Sequence, residues 1–198
     1  MLHVQADFSV ELAPGDPTLE MPWISRDPAI RYYDLKRNPR IISQVPEVAA
    51  NPALREFLAA LNAPASPFET AKCDSWSSDQ MDVEDEPFGA ATKFCSYVDV
   101  VPEEEARFLF VSIEDFGRRF VKLLARAPEI SAACDLVIRR CFYHLGHSPE
   151  GEISEGFYFT LYCCGYGDDE AHAQRSWAIA MNLLQNALLQ LGRERYAR

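Results

Sequence analysis

The chain has 198 residues, of which 48% are apolar and 12% aromatic, and its 30 acidic against 19 basic side chains give a formal net charge of -11. Such a composition excludes a disordered chain, and at this length folding hides roughly 70% of the surface that the unfolded chain exposes, enough for one substantial core. The negative balance argues against nucleic acid or anionic lipid, and no apolar run approaches the roughly 20 residues that cross a bilayer, so no nucleic-acid and no membrane partner is expected.

The N-terminal stretch MLHVQADFSVELAPGD has neither the basic nor the apolar region of a secretory signal, which makes a cytoplasmic protein the expectation. In that compartment Cys73, Cys95, Cys134, Cys141, Cys163 and Cys164 are expected as reduced, mostly buried thiols. Residues 2–12 alternate as a strand. Residues 13–50 are loop-rich with short helices, interrupted by Pro28, Pro39 and Pro46. A clear helix follows at 52–62, with Asn51 as N-cap, Pro52 at the first helical position and Leu54, Phe57, Leu58 and Leu61 in one stripe.

Residues 67–78 and 89–101 read as strands joined by the acidic connection SDQMDVEDEP, and RFLFVS at 107–112 reads as a further short strand. Ile113–Ala127 reads as a helix with Phe116, Phe120, Val121 and Leu124 on one face, stopped by Pro128. A second strand pair at 135–146 and 156–167 precedes a long helix, capped by Asp168 or Asp169 and carrying Trp177, Met181, Leu184, Leu188 and Leu191, with Gly192 as its stop.

The fold class is therefore α+β: an antiparallel sheet with helices packed on one face, in a single compact domain over 1–198. Cys73 and Cys95 are spaced like Cys141 and Cys163, and each strand pair leads into a helix. Pseudo-repeat halves at 1–101 and 102–198 would arise from a duplicated strand–strand–helix or strand–helix–strand–strand unit. If the pairs are symmetric, Cys73 lies opposite Cys95 and Cys141 opposite Cys163. Period two then separates an apolar face from one that carries Lys72, Trp76, Phe94, Arg140, His144, Tyr158 and Tyr162.

Rings alternating with cations suit a small aromatic or anionic ligand, bound without catalysis and without a cofactor. The second reading is that the same face serves a homodimer or another protein partner, in a structural or regulatory role. A third reading is an enzyme of unknown class using Cys164, His144 and Arg140, with Cys164 activated by the adjacent cation. Cys141-x-x-His144-x-x-His147 has zinc-like spacing, but a regular strand points Cys141 and His144 to opposite faces, so no metal is expected. GYGDDE at 165–170 lacks the lysine of a phosphate loop.

Overall fold

The computed structural model describes residues 5–25, 27, 31–102, 105–144 and 152–196. In chain order these form β1 (Gln5–Glu11), β2 (Thr18–Met21), α1 (Pro46–Ala50), α2 (Pro52–Leu61), β3 (Phe68–Ser78), β4 (Thr92–Pro102), α3 (Phe110–Leu124), β5 (Ala132–His144), β6 (Ile153–Gly167) and α4 (Glu170–Tyr196). The six strands make one sheet in the order β1-β5-β6-β4-β3, and β2 continues the β1 edge along the later part of β5. The fold is mixed α+β.

The sheet is not purely antiparallel, because β1 and β2 both run parallel to β5. A parallel neighbour needs a long crossover, and more than a hundred residues separate these strands in the chain. Residues 107–112 are not a strand either. A 3-10 turn at Glu105–Phe108 leads directly into α3, whose first turn opens at Phe110. This removes the strand–helix–strand–strand order.

One face of the sheet carries the main core. Phe94, Val98 and Val100 of β4, Leu136 and Ile138 of β5, and Phe159, Leu161 and Cys163 of β6 meet the apolar stripes of α2, α3 and α4. Trp177 of α4 is buried against Phe94, and its Nε1 donates to Ser96 Oγ at 2.8 Å. Asn51 precedes α2 without bonding its side chain to that helix's first turn. Instead its Nδ2 donates to Glu47 O and Ser75 Oγ, and its Oδ1 accepts from Gln174 Nε2, which ties α1, β3 and α4 together.

The glycines near 165 serve packing. A Cβ at Gly165 would lie 2.1 Å from the backbone nitrogen of Trp177, and one at Gly167 would lie 2.5 Å from that of Ala173. Only bare backbone lets α4 approach β6 this closely. Asp169 caps α4, its Oδ1 accepting from His172 N at 2.7 Å. Gly192 does not stop the helix, which continues to Tyr196. That glycine lies against Pro67 instead, where a Cβ would come within 2.4 Å of the ring. Gly165→Ala is expected to destabilise the fold by about 2 kcal/mol or more, through displacement of α4. A urea midpoint equal to the parent's would show that α4 is not seated on this glycine.

Candidate functional site

The second face of the sheet is covered only in part. At one end the acidic connection folds back over it: Phe88 stacks on Tyr166 with ring centroids 3.9 Å apart, and Asp85 accepts from Tyr166 Oη and Lys93 Nζ, both at 2.6 Å. Burial pushes the Asp85 carboxyl up, but the bonds from Lys93 and Tyr166 outweigh it and hold the group below its ordinary range. At the other end a small apolar cluster of Leu19, Met21, Val101, Cys141, Tyr143 and Tyr158 lies beneath Trp23 and Tyr32. Trp23 Nε1 donates to Ala71 O of β3 at 3.1 Å, so the segment after β2 bridges from one edge of the sheet to the other.

Beside that bridge opens a cleft of about 560 Å³. Its walls come from both sheet edges and from the crossing segment: Glu20 and Phe142 on one side, Lys72, Cys73 and Tyr97 on the other, with Trp23, Arg31 and Tyr33 between them. Glu47 at the start of α1 closes it on the helix side of β3. The Lys72 ammonium sits 5.2 Å from the Trp23 ring centre, and the Arg31 guanidinium 5.0 Å from that of Tyr33. Cation–ring contacts of this kind hold long side chains in place without consuming their charge. A second cavity of about 550 Å³ lies on the other side of the crossing segment, with Tyr32, Glu69, Arg107 and His144 in its wall.

The register decides which expected residues share this face. Cys73 lies opposite Val98 and Cys141 opposite Gly156, not opposite Cys95 and Cys163. The first pair turns later and the second pair earlier than symmetry would place them, while the bulge between Thr70 and Cys73 shifts only the start of β3, Phe68–Thr70. Lys72, Trp76, Tyr158 and Tyr162 are on the second face, and among them Lys72 borders the cleft. Trp76 lies opposite Cys95, 40% exposed, and Tyr158 is buried in the small apolar cluster.

Three residues have the opposite parity. Phe94 is in the main core against Trp177. Arg140 pairs with Glu155 at 2.8 Å and donates to Leu12 O, away from Tyr158 and Tyr162. His144 bonds through Nε2 to Glu20 Oε1, far along β5 from the position that faces Cys164.

Arg139, not Arg140, occupies the second face. It donates to Glu11 Oε2 at 2.8 Å, Thr160 Oγ1 at 2.9 Å and Tyr162 Oη at 3.2 Å, and the Thr160 hydroxyl in turn donates to Asp99 Oδ1 at 2.7 Å. Strict alternation from a wrongly placed turn swaps neighbours of this kind.

Cys164 is not a free thiol, because it forms a disulfide with Cys95 directly across the β4–β6 ladder. The expectation of six reduced thiols fails here because the register sets these two side chains opposite each other on one face, with Cα atoms 4.1 Å apart. Burial pushes the Cys73 and Cys141 thiols up to about 12 and raises Cys163 as well, so none of these is a thiolate at neutral pH. The zinc-like His147 lies outside the described residues. Among the described residues no three His, Cys, Asp or Glu side chains converge as metal ligands. No helix among them is long and apolar enough to cross a membrane.

Comparison with protein-family models, with curated proteins and with solved structures finds no match to this chain.

Two outcomes follow from this geometry. Alkylation of the unfolded, unreduced chain should label four of its six cysteines and the remaining two only after reduction, as counted by intact mass. Six labels before reduction would contradict the Cys95–Cys164 bond. The second outcome concerns Asp99, whose carboxyl is raised from 3.8 to about 6 by burial, against the opposing Thr160 hydrogen bond and the charges of Lys72 and Arg139. Between about pH 4 and pH 6 the folded chain holds a proton that the unfolded chain has released. Stability should therefore fall by on the order of 2 kcal/mol as pH rises through that window, then level off. Asp99→Asn keeps the acceptor for Thr160 and should flatten the slope, measured by urea unfolding at successive pH values.

Proposed function

We propose that the chain is a noncatalytic binding domain for a small aromatic anion, which it takes into the cleft beside the Trp23 bridge. The observation that carries this reading is the pairing of Lys72 with Trp23 and of Arg31 with Tyr33 in the wall of one cavity. Its volume of about 560 Å³ is within the range of roughly 300–1,000 Å³ typical of small-molecule pockets. Neither cation has an acidic partner within ion-pair distance among the described residues, so both charges are available to a carboxylate. Tyr97 and Phe142 add ring surface for the apolar body of the ligand. The enzyme reading loses support because Cys164 is bonded, His144 is engaged by Glu20 and the Cys73 thiol in the cleft is held protonated.

A protein-docking role has one observation in its favour, the 40% exposed Trp76 on the edge strand β3. Sedimentation over a hundredfold range of concentration tests its self-association form, and a constant monomer mass sets that form aside.

Calorimetric titration with indole-3-propionate tests the leading reading. Binding should weaken at least tenfold in Lys72→Gln and in Trp23→Leu, with the circular dichroism of Lys72→Gln unchanged because that side chain is exposed. Equal affinity in the parent and Lys72→Gln would sink the proposed site.

A further inference from the structure

The cleft also carries acid, and that acid narrows the ligand. Two carboxylates stand in its wall, Glu20 and Glu47. Glu20 already engages His144 through Oε1. Glu47 makes no side-chain hydrogen bond and has no cation within ion-pair distance among the described residues, although it is half-buried beside Cys73, whose thiol it helps to push up. Period two sets Cys73 and Lys72 on opposite sides of β3, and the cleft reaches both. Glu47 and Lys72 therefore stand on opposite sides of the free edge of this strand, and Arg31, which donates to Gln44 Oε1 at 3.4 Å, lines the same cleft from the crossing segment.

A ligand with a carboxylate alone satisfies Lys72 and Arg31 but closes water away from an unpaired Glu47. Burying that charge without a partner is costly. An ammonium carried a few bonds from the ligand's carboxylate removes the cost and adds a charge-assisted bond. The wall then offers Glu47 as an unpaired acceptor for the ammonium, Lys72 and Arg31 as donors for the carboxylate, and Tyr33, Tyr97 and Phe142 for the ring.

From this, and resting on the reading of the cleft as a site for aromatic anions, we infer that its ligand is a zwitterion of the aromatic amino-acid type. The ligand carboxylate is held by Lys72 and Arg31, and its ammonium by Glu47.

Three probes of one ring system separate the contributions in calorimetric titrations of the full chain: L-tryptophan, indole-3-propionate without the amine, and tryptamine without the carboxylate. L-Tryptophan should bind at least tenfold more tightly than either of the others. In Glu47→Gln that advantage over indole-3-propionate should vanish while indole-3-propionate itself binds as well as before or better. Glu47→Asp, which keeps the charge, should retain part of it. Circular dichroism of each variant checks that α1 and the sheet are intact.

Equal binding of L-tryptophan and indole-3-propionate overturns the zwitterion and leaves the aromatic-anion site standing. So does a preference that survives Glu47→Gln. If no probe binds the parent chain, both readings fall together.

Discussion

Thirteen residues of β5 pair with β6 in one uninterrupted antiparallel ladder, and the placement of every side chain on the second face depends on that register. The ladder sets Leu136 opposite Leu161 and Ile138 opposite Phe159, so an unbroken apolar layer meets α3 and α4. A slip by one residue would put Arg139 into that layer and Ile138 into the open face. The register is locked from the helix side as well. Gly165 and Gly167 must lie beneath Trp177 and Ala173, because no other residue type leaves room for α4 there. Helix packing and strand pairing thus enforce the same alignment.

With the register set, the polar residues on the second face and around the cleft at its edge divide into two kinds. Arg139, Thr160, Asp99 and Glu11 satisfy one another, and at 8%, 1% and 5% exposure for the first three there is no room for a ligand to compete. Such a group holds the sheet's middle in one arrangement, since losing any member leaves a buried partner uncompensated. Among the described residues Lys72 and Glu47 make no side-chain hydrogen bond or ion pair and Arg31 makes only one long bond, to Gln44 Oε1 at 3.4 Å, and all three border open space. The difference between a charge already answered and a charge facing a cavity separates framework from candidate site.

Much of the framework was legible in the chain itself. Strong periodicity announced α2, α3 and α4, and alternation announced the four long strands, because both signals are local. What escaped was whatever depended on distant partners. The centre of the connection between β3 and β4 has no sequence mark of its own, yet it sets Cys73 opposite Val98 and not Cys95, and the bulge at 71–72 then changes the parity of the start of β3. The true partner of Cys95, Cys164, is 69 residues away in the chain. The candidate site suffered most, because Trp23, Arg31 and Tyr33 lie in a proline-broken stretch without periodicity. Their signal was composition: three aromatic residues, Trp23, Tyr32 and Tyr33, close to basic ones in a segment too irregular to bury them in a regular element.

The uneven charge of the chain gains a physical meaning from this arrangement. Residues 67–112 hold eleven acidic and three basic side chains, a local balance of -8, while residues 113–198 hold eleven and ten, a balance of -1. Part of the acidic excess is structural: Asp82 and Asp85 hold Lys93, and Asp85 also holds Tyr166 while Phe88 covers that ring. The acidic connection is therefore pinned over one end of the sheet by the buried Asp85 and Phe88, while Asp79, Asp82, Glu84 and Glu86 remain exposed. The cleft at the other end is nearly neutral, with Arg31 and Lys72 against Glu20 and Glu47. Within a Debye length of roughly 8 Å the local set dominates what a ligand meets, so a strongly acidic chain still presents a balanced pocket. Discrimination there depends on where each charge stands around the edge of β3, and net charge has little part in it.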